Sequence, residues 1–229
     1  MCNMYDEFLR RVEQYRFLYK MTQEEVSNKI GITQSQFSKM ELGKTIFPNH
    51  VLKSLSDMNW DIDYLVTGKE TPKQSSEIIE ILNQYETENR EEFLQLILWT
   101  LKQGIHKQEK EIDSEIKCEM QVLFCRNNHE KSTSLLYEVR EVLGLSQHAM
   151  AEKLGVNIKK YRMLEKEIIQ PDAELLVQIY KISGCKPTLF LYKERMEETI
   201  INDLWTAVRP EIRNELITFL KQAEQLLGR

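Results

Sequence analysis

Apolar residues recur along this chain at intervals of three and four, and no stretch sustains the every-second-residue alternation of a half-buried strand. The pattern predicts an all-α protein. Phe8, Val12 and Tyr19 set a first helix over roughly Tyr5–Tyr19. Val26 and Ile30 set a second, Phe37 and Met40 a third, Leu52 and Leu55 a fourth, and "DIDYLVTG" a short fifth. The punctuation agrees with the period. Thr22 is an N-cap with Glu25 three residues on, the reciprocal arrangement of a capping box. Gly31 ends the second helix where a left-handed backbone is easiest for glycine, Thr33 caps the third, and Pro48 starts the fourth.

The same pattern returns later in the chain. A shift of 124 positions lays Arg16 on Arg140, Gln23 on Gln147, Lys29 on Lys153, Gly31 on Gly155 and Glu41 on Glu165, without a gap. Apolar positions follow: Val12 with Leu136, Val26 with Met150, Ile30 with Leu154, Phe37 with Tyr161, Met40 with Leu164. A shift of 122 then matches Ile78 with Ile200, Leu82 with Leu204, Leu94 with Leu216 and Leu98 with Leu220. The duplicated unit is a helical head followed by two amphipathic helices. Those helices should break near Glu86–Asn89 in the first copy and at Arg209–Pro210 in the second. Ile112, Ile116, Met120, Leu123 and Phe124 keep helical spacing, so a connecting helix is expected, with looser ends near Gly104 and at Asn127–Ser132. Four segments follow: a first head at 1–68, a tail and connecting helix at 69–132, a second head at 133–192, and a C-terminal helical hairpin at 193–229.

The third helix raises the functional question. Its period sends Phe37 and Met40 inward and leaves Gln34, Ser35, Ser38 and Lys39 outside, where a core helix would carry apolar groups. The stretch "TQEEVSNKIGITQSQFSKMELGK" resembles the Cro/CI (phage-repressor, XRE-like) helix-turn-helix family, and the resemblance covers both heads. It implies two lambda-repressor-like domains whose recognition helices enter the major groove with their N-terminal residues toward base edges. On the family pattern Gln34, Ser35 and Lys39 hold base-reading positions. Gln pairs with adenine, Lys donates to guanine, and Ser serves either way. Gln23 would meet a phosphate at the start of the second helix, and Ser38, Lys44 and Asn49 are further backbone candidates. The family pattern also brings Arg16 to Glu41, and Arg140 to Glu165, as partly buried ion pairs that belong to the scaffold.

The second head departs from the pattern. Ser146 and Gln147 keep the cap and the phosphate position, and Asn157 caps the third helix. The base-reading positions then hold Ile158, Lys159 and Met163. Ile158 could touch a thymine methyl, and Lys160 and Arg162 could serve phosphates together with Lys159 and Lys166. "LEKEI" replaces the "MELGK" loop, so its glycine and lysine are gone. Either this head still touches DNA or it has turned to binding protein.

Charge tempers the picture without overturning it. The chain of 229 residues carries a formal −5. By segment the balance is 8 − 9 = −1 over 1–68, 9 − 13 = −4 over 69–132, 8 − 7 = +1 over 133–192 and 6 − 7 = −1 over 193–229. The acidity lies mainly between the heads, so any basic surface must be local. Cys2, Cys118, Cys125 and Cys185 show no framework spacing, which fits a reducing cytoplasm. Cys118, Cys125 and His129 match no zinc pattern, and no metal or other cofactor is expected. No apolar run reaches the roughly 20 residues that cross a bilayer, and "MCNMYDEFLRR" lacks the apolar core of a secretion signal. There is no Gly-rich phosphate loop, metal motif or nucleophile motif, so no enzyme is expected.

The expected function is therefore sequence-specific binding of double-stranded DNA in transcription regulation, as a repressor by family analogy. The competing expectation is a protein-interaction module, such as an antitoxin or adaptor. Two heads in one chain could act as an intrachain pseudo-dimer on unlike half-sites. Alternatively, two chains could pair through the stripes Phe93, Leu94, Ile97, Leu98 and Leu101 and Leu216, Phe219, Leu220 and Leu227. Those stripes could equally be intrachain core.

Overall fold

The computed structural model describes residues 4–70, 77–84, 87–108, 114–128, 133–192 and 195–226, the side chains of 87–89, 114, 124–128 and 224–226 excepted. Among the described residues the protein is all-helical, with no strand. The first head comprises α1 (Met4–Leu18), α2 (Gln23–Ile30), α3 (Gln34–Glu41), α4 (Asn49–Asp57) and α5 (Ile62–Thr67). Next come α6 (Glu77–Leu82), α7 (Thr87–His106) and α8 (Ser114–Asn128). The second head comprises α9 (Leu135–Val142), α10 (Gln147–Lys153), α11 (Ile158–Glu165), α12 (Ala173–Ser183) and α13 (Pro187–Leu191), followed by α14 (Met196–Ala207) and α15 (Pro210–Leu226).

Local chemistry accounts for the boundaries. Both α2 and α3 open with complete capping boxes, Thr22 with Glu25 and Thr33 with Gln36. Gly31 closes α2 at φ +74°. In the second head Ser134, Ser146, Asn157 and Asp172 each accept the backbone N–H three positions on. The loop after the third helix keeps its shape without its glycine. Glu167 takes φ +56° at the place of Gly43, which sits at φ +69°. The lost glycine thus changes the strain of that loop and not its course.

The chain folds as two compact units, and each draws on both copies. One contains residues 1–71 and 121–193, the other 72–120 and 194–229. The segments 1–68 and 133–192 therefore share a unit. One apolar cluster runs through both heads, from Phe8, Phe37, Phe47, Leu52 and Leu65 to Ala173, Leu176, Val177 and Leu191. Each fully buried side chain of this size contributes about 1.5–3 kcal/mol.

The contact between the heads is reciprocal. Helix α5 packs on α12 and α13, and α13 packs on α4. Ala173 N donates to Phe47 O at 2.9 Å, while Asn49, the counterpart of Ala173, donates through Nδ2 to Pro171 O at 3.2 Å. Pro171 is the counterpart of Phe47, so the same patch serves both sides, as in an isologous dimer interface. Some contacts break this symmetry, the most buried of them at Asp63. Asp63, 5% exposed, accepts Thr188 N at 2.8 Å and Thr188 Oγ1 at 2.5 Å. Burial pushes its carboxyl up to about 6, and the two hydrogen bonds from Thr188 oppose that only in part.

In the second unit the tail helices interleave. Helix α14 packs on α6 and α7, and α15 packs on α7. Phe93, Leu94, Ile97, Leu98 and Leu101 are 2% exposed or less, and Leu220 is fully buried, so these stripes are intrachain core. Leu216 is half-buried, Phe219 stands out at 42% exposure, and Leu227 lies outside the described residues. Gly104 corrects the expectation of a loose end. It sits inside α7, where a Cβ would meet Leu216 Cδ1 at 2.9 Å, so it permits a close helix–helix approach. Arg209 N donates to Gln108 Oε1 at 3.1 Å, and Arg90 pairs with Glu197 at 2.5 Å.

Candidate nucleic-acid interface

Helix α3 is held on three sides and left free on the fourth. Gln36 returns its Oε1 to Thr33 N at 2.9 Å, which fixes the first turn. Phe37 is fully buried and meets Phe47 edge-on, and Met40 is 5% exposed. At its end Glu41 takes Arg16 Nε at 2.8 Å and Nη2 at 3.3 Å, with both side chains under 10% exposed. Arg16 also donates to Met21 O at 3.2 Å, tying α1 to the α2 entry. The remaining face carries Gln34, Ser35 and Lys39, all exposed, whose side chains make no hydrogen bond or ion pair with any described residue. Ser38 is half-buried and Lys44 exposed, likewise without such bonds among described residues.

The phosphate candidates divide. Gln23 is half-buried, and its Nε2 donates to Glu41 Oε2 at 2.6 Å. One amide hydrogen remains, aimed by a carboxylate that is itself fixed by Arg16. Asn49 is drawn the other way, into the head–head contact through Pro171 O. It lies apart from the free set of α3, because the same residue that starts α4 also completes the join between heads.

The second head repeats the frame and changes its surface. Arg140 Nε donates to Glu165 Oε1 at 2.7 Å, with side-chain exposures of 10% and 7%. Arg140 also donates to Leu145 O at 2.9 Å and pairs with Glu141 at 2.5 Å. Tyr161, where the first head has Phe37, donates its hydroxyl to Glu165 Oε1 at 3.0 Å. Gln147 Nε2 donates to Glu165 Oε2, and Gln147 Oε1 accepts from Arg162 Nε at 3.2 Å. Burial opposes the charge on Arg140, but the hydrogen bond and charge of Glu165 outweigh it and raise the guanidinium. Burial, then the Glu165 charge, raises the Tyr161 hydroxyl. On the outer face Lys159 and Arg162 are exposed, while Ile158, Lys160 and Met163 are half-buried.

Several residues that shape this surface gave no clear sequence signal. Arg11, which the sequence did not single out, is buried and caps α5, donating to Leu65 O at 3.1 Å and Val66 O at 3.2 Å. Gln36 had a readable signal, its position three after Thr33. Tyr161 could be suspected from a hydroxyl at a core position, but its partner could not be named. Cys118 and Cys185 are buried thiols, and no group of three or more metal-ligating side chains gathers among the described residues. Cys2, His129 and the side chain of Cys125 lie outside the described residues. No helix among the described residues is long and apolar enough to cross a membrane.

Compared with known proteins, the chain matches no family model, no curated protein and no solved structure.

Proposed function

We propose that this chain is a sequence-specific double-stranded-DNA-binding transcription regulator, acting as a repressor. In this reading its heads are two Cro/CI-type, lambda-repressor-like helix-turn-helix domains. One observation carries the reading: the outer face of α3 presents Gln34, Ser35 and Lys39 with their polar ends unspent, on a helix whose other faces are fully committed. Polar ends on a rigid helix suit the donor and acceptor pattern of major-groove base edges. The reciprocal join of the heads supports a single chain spanning two unlike half-sites, with no second chain required.

A second reading, a protein-interaction module, draws on the net charge of −5 and on Ile158 and Met163 in the face of α11. Salt separates the two. Affinity for duplex should fall steeply as salt rises, by about 0.9 log units per log unit of salt for each neutralised phosphate. A flat response would favour the protein module. Selection of bound duplexes from a random pool, run on wild type and on Gln34→Ala, assigns the reader. A base preference lost within one half-site supports Gln34 as a reading residue, and the same consensus from both proteins removes it.

A further inference from the structure

The two heads hold their helix-2 glutamines differently. Gln23 donates to Glu41 and takes no bond from α3, where Ser38 stands opposite. Gln147 is occupied at both ends, by Glu165 on its nitrogen and by Arg162 Nε on its oxygen. A relay therefore runs outward from the buried Arg140, through Glu165 and Gln147, to an exposed guanidinium. Arg162 has no carboxylate partner among the described residues, and neither have Lys159, Lys160 or Lys166. Its Nε is spent on the anchor, while its Nη groups make no hydrogen bond or ion pair with any described residue. Head one offers one cation on its third helix, Lys39, and head two offers three, flanked by the half-buried Ile158 and Met163.

We propose a division of labour that rests on the DNA-binding reading. The first head reads bases, and the second head is a sequence-tolerant clamp on the sugar–phosphate backbone. The clamp centres on Arg162, with Gln147 acting as a positioning residue. The ligand chemistry is the pair of unesterified oxygens on a duplex phosphate, which a planar guanidinium meets in bidentate fashion. Anchoring Nε in advance removes rotamer freedom that an unanchored arginine would lose on binding. Ile158 and Met163 cannot donate or accept toward base edges, which leaves Lys159 alone of the three base-reading positions able to hydrogen-bond there.

The test uses the full chain, duplexes selected by it, and variants whose melting curves are compared with wild type. Selected sites should show a defined half and a degenerate half. Arg162→Ala should weaken binding about tenfold, equally on sites altered in the degenerate half, and reduce the salt slope by about 0.9. Arg162→Lys keeps the charge and loses the anchor, so the slope should stay while affinity falls about threefold. Gln147→Ala should match Arg162→Lys, and combining the two should add nothing. A steep wild-type slope that Arg162→Ala leaves unmoved sinks the clamp while leaving the DNA reading intact. A loss confined to sites with one particular base pair makes Arg162 a reader and overturns the division. Absence of any duplex binding by wild type removes both readings together.

Discussion

The two heads differ at one place that matters, the surroundings of the buried carboxylate at the end of the third helix. Glu41 is served by Arg16 and Gln23, and it faces a fully apolar Phe37. Glu165 is served by Arg140, Gln147 and the Tyr161 hydroxyl, and through Gln147 it reaches Arg162. A buried ion pair contributes little net stability against an apolar alternative, but it fixes geometry. In the first head that geometry ends at the surface in an unspent amide. In the second it ends in a guanidinium. One frame can thus serve two kinds of surface chemistry through changed outer residues, Ser38 against Arg162 among them.

The comparison breaks hardest at the arginines. Arg16→Ala and Arg140→Ala should each cost about 3–5 kcal/mol in urea unfolding, because each strands a buried carboxylate. A cost under about 1 kcal/mol in one head would show that its carboxylate finds water when the partner leaves. Next comes the join between heads. The folded-state pKa of Asp63 lies above its unfolded value of 3.8. The folded protein therefore holds the extra proton between about pH 4 and 6, and stability should fall as pH rises through that window, then level off. By that linkage the change is at most about 3 kcal/mol. Asp63→Asn should flatten the profile, and unchanged pH dependence would place its origin elsewhere.

Tyr161→Phe should cost about 1–3 kcal/mol by removing a buried donor from Glu165. It would also make the second head resemble the first, so a smaller loss would show that Arg140 and Gln147 suffice there. The smallest effects lie in the loop after the third helix. Glu167→Gly should stabilise by about 1 kcal/mol by relieving a left-handed backbone. Gly43→Ala should destabilise by a similar amount, since its Cβ would meet Leu9 Cδ1 at 2.9 Å. Equal melting temperatures for Glu167→Gly and wild type would mean that the loop carries no strain.

The helices were legible because their signals are local. Thr22, Thr33, Ser146 and Asn157 each announce a helix start within four residues, and apolar spacing assigns an inner face. The polar outer face of α3 could be read for the same reason. What escaped depends on partners far away in the chain. Gly104 reads as a breaker until Leu216, more than a hundred residues later, leans on it. Asn49 reads as a free surface amide until Pro171 is placed beside it. Arg11 carried no signal of its own, because the carbonyls of Leu65 and Val66 that it caps lie more than fifty residues away. Periodicity also marked the tail stripes as buried without telling intrachain packing from a seam between chains.

The reciprocal join between the heads has an evolutionary consequence. In a pair of identical chains every substitution appears on both sides of the axis, so neither side can specialise. Here the two sides of the Asp63 contact are free to differ, and they do: Asp63 corresponds to Pro187, and Thr188, which donates to Asp63, corresponds to Tyr64. Joining the halves in one polypeptide releases them from mirror obligation, so the surfaces of the two heads can diverge independently.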